Sequence, residues 1–437
     1  MSRLVSSVAK YKTAVDLFFL LILALYILAG MNLTPFHGDE STQVYMSRDF
    51  AYQFLQGDTA SLSYTPDPAS AQEQDLRLLN GSVNKYSIGL AWWLAGFELD
   101  AINEQWDWGA DYHYNTTTQH APSPELLQVA RLPSTLFTLL ATITMFYLGK
   151  QLGGRRVATI ATLFFVLHPA VLVNGRRAMM EGSLLAFSLL TVWAGVWFLQ
   201  VRRGQYRRFF FAVMVLGICG GLALASKHTA VFTLIAVWGG LGLSLLLPQT
   251  IDRKLRLFGL VMAGIVALIV FYVLNPVWWG QSPFAMIEIV LAKRSSLLAG
   301  QAEFFGGYLT VPEALIGFYR QTGMGMPQYF EVDGWQTYIG DQISVYNASH
   351  WTGVLLPEAL SGIILLLAGV GLVRFFISPS ALPHRLLIGG WAILIFASTM
   401  LLTPLEWQRY YLPMMPVLAL LAGLAWMLSN RVKPVSS

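Results

Sequence analysis

Ten stretches of mostly apolar residues run along the chain, separated by polar segments. Each is roughly 18–22 residues long, enough for an α-helix to cross the hydrocarbon core of a bilayer. The pattern therefore predicts an all-α polytopic membrane protein with about ten transmembrane helices, forming one domain over residues 1–437. The predicted spans are residues 14–34, 129–149, 157–174, 180–201, 209–226, 230–248, 257–275, 354–373, 385–403 and 411–429.

Two of the polar gaps are long, and both fall on the same side if all ten spans form. The first covers residues 35–128 and carries 13 Asp and Glu against 3 Lys and Arg; the second covers residues 276–352. Segments 84–97 and 285–300 are amphipathic but too short to span, which predicts a helix lying in the interface within each loop. In the first segment, the side-by-side Trp92-Trp93 pair is expected at headgroup depth.

Basic residues cluster in the short gaps opposite these loops, and the positive-inside rule places such gaps in the cytoplasm. The prediction is a cell-membrane protein with both termini cytoplasmic and its long loops and active site extracytoplasmic. The adjacent pair Arg176-Arg177 breaks the pattern, because it lands on the outer side. The basic residues behind the rule are Arg3, Lys10, Lys12, Lys150, Arg155, Arg156, Arg202, Arg203, Arg207, Arg208, Arg253, Lys254, Arg256, Arg374, Arg385, Arg431 and Lys433.

Composition agrees with a membrane protein and narrows the function classes. Of the 437 residues, 55% are hydrophobic and only 12% charged, about half the charged share of a soluble domain. The single cysteine, Cys219, allows no intrachain disulfide. No phosphate-cradling P-loop and no Asp-x-Asp motif occur, so neither an ATPase nor a metal site for a nucleotide sugar is predicted. No nucleic-acid partner is expected, and the basic start followed by a long apolar span indicates a retained anchor.

The first candidate site is the run His37-Gly38-Asp39-Glu40, just past the first span. One interpretation is structural: Asp39 is the N-cap of a juxtamembrane helix. The other is catalytic, with Asp39 and Glu40 at the lip of a lipid-facing cavity and a carboxylate taking a proton from an attacking hydroxyl. The two interpretations are compatible, because a helix start also orients a base.

Basic and aromatic residues on the outer side form the second group of candidates. Lys227 and His228 lie between the fifth and sixth spans, and Arg409 and Tyr410 open the last span. Cations at these places either contact lipid headgroups or bind the phosphate of a lipid-linked substrate. Arg176 allows the same two interpretations, with Glu181 as the carboxylate that keeps an arginine oriented.

Metal binding has thin support in the sequence. His37 with Asp39, or His113 with His120, supply two ligands without a third and a fourth. No cofactor is therefore predicted, and a divalent metal is left open.

Taken in order, these patches resemble the GT-C superfamily of polyprenyl-phosphate-sugar-dependent glycosyltransferases, in the branch of protein O-mannosyltransferases and lipid A aminoarabinose transferases. The resemblance runs from about residue 14 to residue 429 and depends on the joint order of weak motifs. They are Asp39-Glu40, His168-Pro169, Arg176-Arg177-Ala178-Met179-Met180-Glu181, Gly221 to Ala230 around Lys227, Asn275-Pro276-Val277-Trp278-Trp279, and Arg409-Tyr410-Tyr411-Leu412-Pro413.

The resemblance implies an inverting, mannosyltransferase-like transfer of a sugar from a polyprenyl phosphate in the outer leaflet to an acceptor hydroxyl. It makes Asp39 the base and Lys227 and Arg409 the phosphate contacts, with Glu40, Arg176 and Glu181 in support. No soluble domain for acceptors, of the kind that many relatives have, is predicted behind the tenth span, and the first loop is longer than usual. Both departures leave the acceptor open among protein, lipid and glycan.

Two further function classes fit the same pattern. A transporter or flippase for a lipid-linked or anionic substrate would use Asp39 for proton coupling. A non-enzymatic membrane assembly subunit would make Asp39 dispensable. Against transport, few charges lie in the spans, and no repeat of the inverted kind is found.

Overall fold

The regular structure is helical. The computed structural model describes residues 2–248, 252–308, 310–378, 382–403 and 405–427, with side chains from residue 12 onward, and no strand occurs in these ranges. The predicted all-α class is confirmed. The α-helices are α1 (Ser2–Ala29), α2 (Gly38–Met46), α3 (Arg48–Phe50), α4 (Ala71–Leu79), α5 (Ser82–Leu94), α6 (Tyr112–Thr117), α7 (Pro124–Val166), α8 (Pro169–Arg176), α9 (Glu181–Gln200), α10 (Tyr206–Ser226), α11 (Val231–Ser244), α12 (Arg253–Leu274), α13 (Pro283–Phe305), α14 (Val311–Thr322), α15 (Gln336–Ala348), α16 (Glu358–Ser361), α17 (Ile363–Ile377), α18 (Leu382–Leu402), α19 (Gln408–Tyr411) and α20 (Met414–Leu424). A π-helical turn (Ala51–Gln56) and four 3₁₀ turns (Ala60–Leu62, Leu99–Ala101, His228–Ala230, Pro276–Trp278) connect them.

Seven helices in the described part of the chain are long and apolar enough to cross a bilayer, so the chain is a multi-pass membrane protein. One of them, α7, has 43 residues and covers the second predicted span and the first part of the third, whose remainder lies in α8. It turns at Gly154, whose φ of 79° lies in the left-handed region that glycine adopts without strain. Two shorter apolar helices, His228–Ser244 and Met414–Leu424, fall within the sixth and tenth predicted spans. The count of ten spans therefore stays a prediction.

Two predictions concern residues at the end of the chain that the structure does not describe. The last residues of the tenth predicted span, and the basic pair Arg431 and Lys433 behind it, lie outside the described residues.

The main core lies between α7, α9 and α20, with α10 packed between α9 and α12, and α17 against α20. Small residues let these helices approach closely. A Cβ on Gly371 of α17 would lie 1.7 Å from the Leu421 carbonyl oxygen of α20, so only glycine fits there. Close backbone approach at small residues is the usual way in which membrane helices gain van der Waals contact.

The first long loop has a core of its own, and this changes one prediction. Helices α5 and α13 coincide with the amphipathic segments predicted at 84–97 and 285–300. Trp93 is exposed, but Trp92 is buried and its indole N–H donates to Ser47 Oγ at 2.9 Å. The interfacial placement of Trp92 is therefore wrong, because its ring fills the loop core beside Phe50.

The two long loops contact each other directly. Lys293 of α13 pairs with Asp75 of α4 at 2.9 Å, and the backbone N–H of Phe36 donates to Gln342 Oε1 at 2.9 Å. The loops therefore lie on the same side of the helix bundle, as predicted, and together they cover the ends of the helices that bear the candidate residues.

Candidate active site

The acidic pair begins a helix, although its N-cap is not the predicted residue. Helix α2 starts at Gly38, and His37 is its N-cap: His37 Nδ1 accepts the Asp39 backbone N–H at 3.1 Å, while Glu40 accepts the His37 backbone N–H at 3.1 Å. This reciprocal pairing satisfies donors that a helix start leaves free. The prediction of Asp39 as the cap is wrong, because its carboxylate is left for contacts outside the helix.

Glu40 is fully buried, and both of its carboxylate oxygens accept hydrogen bonds from protein groups. Its oxygens accept the Arg131 guanidinium at 2.7 and 2.8 Å, and Oε1 also accepts the Ala178 backbone N–H at 2.9 Å. Burial raises the pKa of Glu40, but Arg131 outweighs it and holds the pKa below the ordinary carboxyl value. Glu40 thus ties the first loop to α7 and to the segment after α8, and it faces away from the cavity described below.

Asp39 has a different environment from its neighbour. Its side chain is 27% exposed and forms an ion pair with Arg409, which lies in α19 some 370 residues further along the chain. Arg409 Nε also lies 3.5 Å from Glu331, and Glu331 accepts His37 Nε2–H at 2.5 Å. Burial lowers the pKa of His37, which agrees with a neutral ring that accepts at Nδ1 and donates at Nε2.

Sequence reasoning missed Glu331. It lies in an irregular part of the second loop, and its only local signal is a carboxylate between the apolar residues Phe330 and Val332. The structure brings it within reach of both His37 and Arg409. Three distant segments therefore meet at the start of α2.

Lys227 follows the last residue of α10 and pairs with Glu181, the first residue of α9, at 2.8 Å. Only 11% of the lysine side chain and 2% of the glutamate side chain are exposed. The pairing matches the idea that Glu181 orients a cation, although the cation is Lys227 and not Arg176. His228 lies next in the chain, with its ring centroid 6.4 Å from that of Phe271. It does not line the cavity that Lys227 lines.

One cavity collects several of the predicted residues. Around it, three cations surround the ring of Tyr410: Lys227 at 5.9 Å, Arg294 at 5.7 Å and Arg409 at 5.7 Å from the ring centroid. The ring itself stacks on Trp407. The lining residues are Leu184, Lys227, Thr229, Phe232, Arg294, Leu298, Ile395, Ser398, Thr399, Leu402, Thr403, Arg409, Tyr410 and Pro413.

Arg294 was also missed from the sequence. It lies within the predicted interfacial segment 285–300, but the amphipathic pattern does not tell which polar residue points to a cavity. In the described part of the chain it has no carboxylate partner, unlike Lys227 and Arg409. The cavity thus has an excess of positive charge beside apolar walls, which suits a ligand with an anionic group and a hydrophobic tail.

Arg176 does not reach this cavity. It is fully buried, and its donors are taken by the carbonyl oxygens of Tyr26, Ile27 and Trp351 and by the Tyr346 hydroxyl. Arg177 likewise donates to the Pro35 and Tyr329 carbonyls. The break in the positive-inside pattern is explained by these contacts, because the two arginines tie α1 and both loops together inside the protein.

Metal ligands do not gather in the described ranges: no group of three or more His, Cys, Asp or Glu is arranged to hold an ion there. His37 is turned to Glu331 and the helix start instead.

One family model matches part of the chain. Residues 78–287, slightly under half of the chain, match the family model described as dolichyl-phosphate-mannose-protein mannosyltransferase. A search of curated proteins gives no match.

Solved structures show the fold. ArnT from Cupriavidus metallidurans bound to undecaprenyl phosphate superimposes with a TM-score of 0.50 and 14% identity, over 94% of this chain and 60% of ArnT. The Archaeoglobus fulgidus oligosaccharyltransferase in complex with Zn and sulfate gives 0.55 and 15%, over 93% of this chain and 48% of that one. AglB from the same archaeon, in complex with an inhibitory peptide and a dolichol-phosphate, gives 0.55 and 15%, over 94% and 50%.

These structures confirm the resemblance to the GT-C superfamily at the level of the fold. The chain spans only about half to three fifths of the length of the proteins that it matches.

Proposed function

We propose that this chain, which has the GT-C fold, is a membrane glycosyltransferase that moves a sugar from a polyprenyl phosphate to an acceptor hydroxyl with inversion. One observation carries the proposal: Asp39 pairs with Arg409, and Arg409 lines the same cavity as two other cations, Lys227 and Arg294. A base and a phosphate site are thus joined through one side chain. The comparisons support this activity and give no support to the transporter.

Asp39 is the base in this scheme. The acceptor oxygen attacks the anomeric carbon, the bond from that carbon to the phosphate oxygen breaks, and the acceptor proton passes to the Asp39 carboxylate. Attack from the face opposite the leaving group inverts the anomeric centre. A positioned carboxylate contributes ~10²–10⁴-fold to such a step, and Asp39 is positioned by the first turn of α2 and by Arg409.

The leaving group is a polyprenyl phosphate, and its charge grows as the glycosidic bond breaks. Lys227, Arg294 and Arg409 supply positive charge there, and all three cations lie 5.7–5.9 Å from the Tyr410 ring centroid. Preorganised charge aimed at a developing anion stabilises the transition state. The apolar walls around Leu298 and Ile395 suit the start of the prenyl chain.

Arg409 has two partners in this mechanism. Without donor it pairs with Asp39, so the base is masked. A donor phosphate competes for the guanidinium and releases the carboxylate, while Glu331 keeps Arg409 near its original place. Donor binding therefore prepares the base for the acceptor.

Glu40, Arg176 and Glu181 act as positioning residues. Glu40 holds the first loop against α7, Arg176 holds the second loop against α1, and Glu181 holds Lys227. We assign no contact with the reacting groups to His228.

The proposed topology keeps both termini in the cytoplasm and the active site on the outer face of a cell membrane. It is supported by the basic residues in the gaps opposite the long loops. Accessibility of cysteines introduced at Asp100 and Arg203 to a membrane-impermeant thiol reagent tests it. Labelling of the first alone from outside intact cells is expected, and labelling of the second alone would reverse the topology.

The test of the activity is release of free polyprenyl phosphate in lipid nanodiscs. Purified protein receives a panel of polyprenyl-phosphate sugars and a membrane extract as acceptor source, and Asp39→Asn and Asp100→Asn are run in parallel. Asp100 is an exposed aspartate of the same loop and serves as the matched control. Release from one donor by the wild type and Asp100→Asn, but not by Asp39→Asn, supports the proposal. Absence of release from every donor, with lipid moved between leaflets, would replace it by transport.

A further inference from the structure

A cluster of aromatic side chains lies directly beside the residue that precedes Asp39. A Cβ on Gly38 would lie 2.8 Å from Trp108 Cη2 and 3.1 Å from Trp335 Cη2, so the two indoles cover the start of α2 and only glycine fits beneath them. Trp108 comes from the first loop and Trp335 from the second. Their rings are stacked, with centroids 6.1 Å apart and planes 17° apart.

The cluster continues outward from these two rings. Tyr112 packs edge-on against Trp335 and stacks on Tyr338 with a centroid distance of 4.8 Å and an interplanar angle of 11°. Beneath them, Trp106 is buried and contacts both tryptophans. Trp108 and Tyr338 are 47% and 46% exposed, so each keeps part of its side chain open to solvent, and Trp108 does so beside the residue that precedes the proposed base.

The charged residues nearest the exposed rings in sequence are acidic. Residues 104–128 contain no Lys or Arg, and neither do residues 329–350; the exposed charges nearest the cluster in sequence are Asp107, Asp111, Asp333 and Asp341. An interfacial aromatic belt on an anionic leaflet is usually accompanied by cations. Acidic residues beside the rings in the chain therefore disfavour contact with an anionic lipid surface.

Partly exposed aromatic rings with acidic residues close by in the chain match the chemistry of a sugar. One face of a pyranose ring presents C–H groups to an aromatic surface, while its hydroxyls donate to carboxylate and amide oxygens. A peptide would call for an open sheet edge, an apolar groove or a basic cluster. The described residues have no strand, and residues 104–128 and 329–350, which carry the rings, contain no Lys or Arg.

We propose that Trp108 and Tyr338, supported by Trp335 and Tyr112, form the acceptor site, and that the acceptor is a saccharide. A sugar ring stacked on Trp108 places one hydroxyl toward Asp39. The inference rests on the proposed function for its orientation relative to Asp39, whereas binding of a saccharide to the rings does not depend on catalysis.

The experiment measures binding and turnover separately. Neutral oligosaccharides of two to five units, in gluco, galacto and manno configuration, and a Ser/Thr-rich peptide are titrated into the full chain in nanodiscs and followed by ligand-observed NMR. The variants are Trp108→Ala and Tyr338→Ala. Trp93→Ala is the matched control, because Trp93 is also 47% exposed but lies on α5, outside the cluster.

The expected result is binding of one oligosaccharide class that weakens about tenfold or more in Trp108→Ala and Tyr338→Ala and is unchanged in Trp93→Ala. In the turnover assay with that acceptor, its KM rises in the same two variants, while donor affinity is unchanged. Binding of the peptide with the same dependence on Trp108 would overturn the inference in favour of a peptide acceptor. Absence of oligosaccharide binding to the wild type would also overturn it.

The two proposals fail in different ways. Oligosaccharide binding without release of polyprenyl phosphate from any donor would remove the proposed function and keep a saccharide site. Release of polyprenyl phosphate with no saccharide bound would keep the function and remove this site.

Discussion

This protein has two charged regions, one around Glu40 and one around the cavity. They differ in whether the protein's own groups pair all of the charged side chains. Around Glu40, the carboxylate and the guanidiniums of Arg131, Arg176 and Arg177 are buried and their hydrogen bonds go to protein groups. Around the cavity, Arg294 has no carboxylate partner in the described part of the chain, and Arg409 is shared with the partly exposed Asp39.

This difference separates the residues that hold the structure together from those that we propose to bind substrate. A buried charge without partners costs several kcal/mol, so the first region must be fully paired for the loops to dock. A site for an anionic ligand needs the opposite, namely donors that the protein leaves incompletely paired. Adjacent residues in one helical turn, Asp39 and Glu40, thereby belong to different regions.

The sharpest contrast is expected between a substitution of Asp39 and a substitution of Arg131, the partner of Glu40. Asp39→Asn should lower turnover by ~10²–10⁴-fold because the amide cannot accept the proton. The fold should be retained, and donor affinity should not fall, because the carboxylate that competes with the phosphate for Arg409 is removed. Donor binding by titration calorimetry and turnover by polyprenyl phosphate release check this. Wild-type turnover in Asp39→Asn would exclude it as the base.

Loss of the ion pair between Glu40 and Arg131 should instead lower the stability of the folded protein. Arg131→Ala leaves the Glu40 carboxylate buried without its cation, and the free energy of unfolding should fall by ~3–5 kcal/mol. Denaturant unfolding in detergent measures it, with Arg203→Ala as an exposed control. A stability equal to that of the control would mean that the pair does not hold the loop.

Lowering the pH should also destabilise the folded protein, because protonation of Glu40 removes its negative charge from the pair with Arg131. Its pKa is lowered by folding, so its stabilisation is complete above the ordinary carboxyl pKa of about 4.3 and is lost as the pH falls through the lower folded value. Unfolding of wild type and Glu40→Gln is compared from pH 7 downward. The gap between the two curves should close with acid, and a constant gap would contradict the assignment.

Within the cavity, Arg294→Ala should weaken donor binding about tenfold, the effect of losing one hydrogen bond to a charged group. Fluorescence titration with a polyprenyl phosphate measures it. The matched control is Lys293→Ala on the same helix, whose side chain faces Asp75 of the other loop. Equal affinity in the two variants would place the phosphate elsewhere.

The smallest effect is expected for the exposed pair itself. Lys293 and Asp75 are 47% and 36% exposed, and surface pairs of this kind contribute only ~0–1 kcal/mol. Lys293→Ala should therefore change the thermal midpoint of unfolding little. A large drop would show that this contact, and not the Glu40 region, closes the two loops together.

Sequence patterns predicted the helices well and the roles of charged residues less well. The apolar stretches coincide with the long helices, and both amphipathic loop segments are helical. Trp92 was misplaced because an amphipathic pattern in a 13-residue helix does not tell a lipid-facing side from a side that packs on its own loop. Arg176 was predicted as a ligand contact, but its partners are mainly backbone carbonyls, which no sequence motif marks.

What the sequence determined by itself is the part that depends on local physics: apolar length for the membrane helices, charge asymmetry for the two long loops, and an acidic pair at the first loop. Only the tertiary structure decided which charges are paired. Asp39 and Glu40 look alike in the chain, and they differ because Arg131 reaches one and Arg409 the other. Those contacts join residues about 90 and 370 positions apart, so their energy depends on packing between loops and helices, which local sequence does not encode.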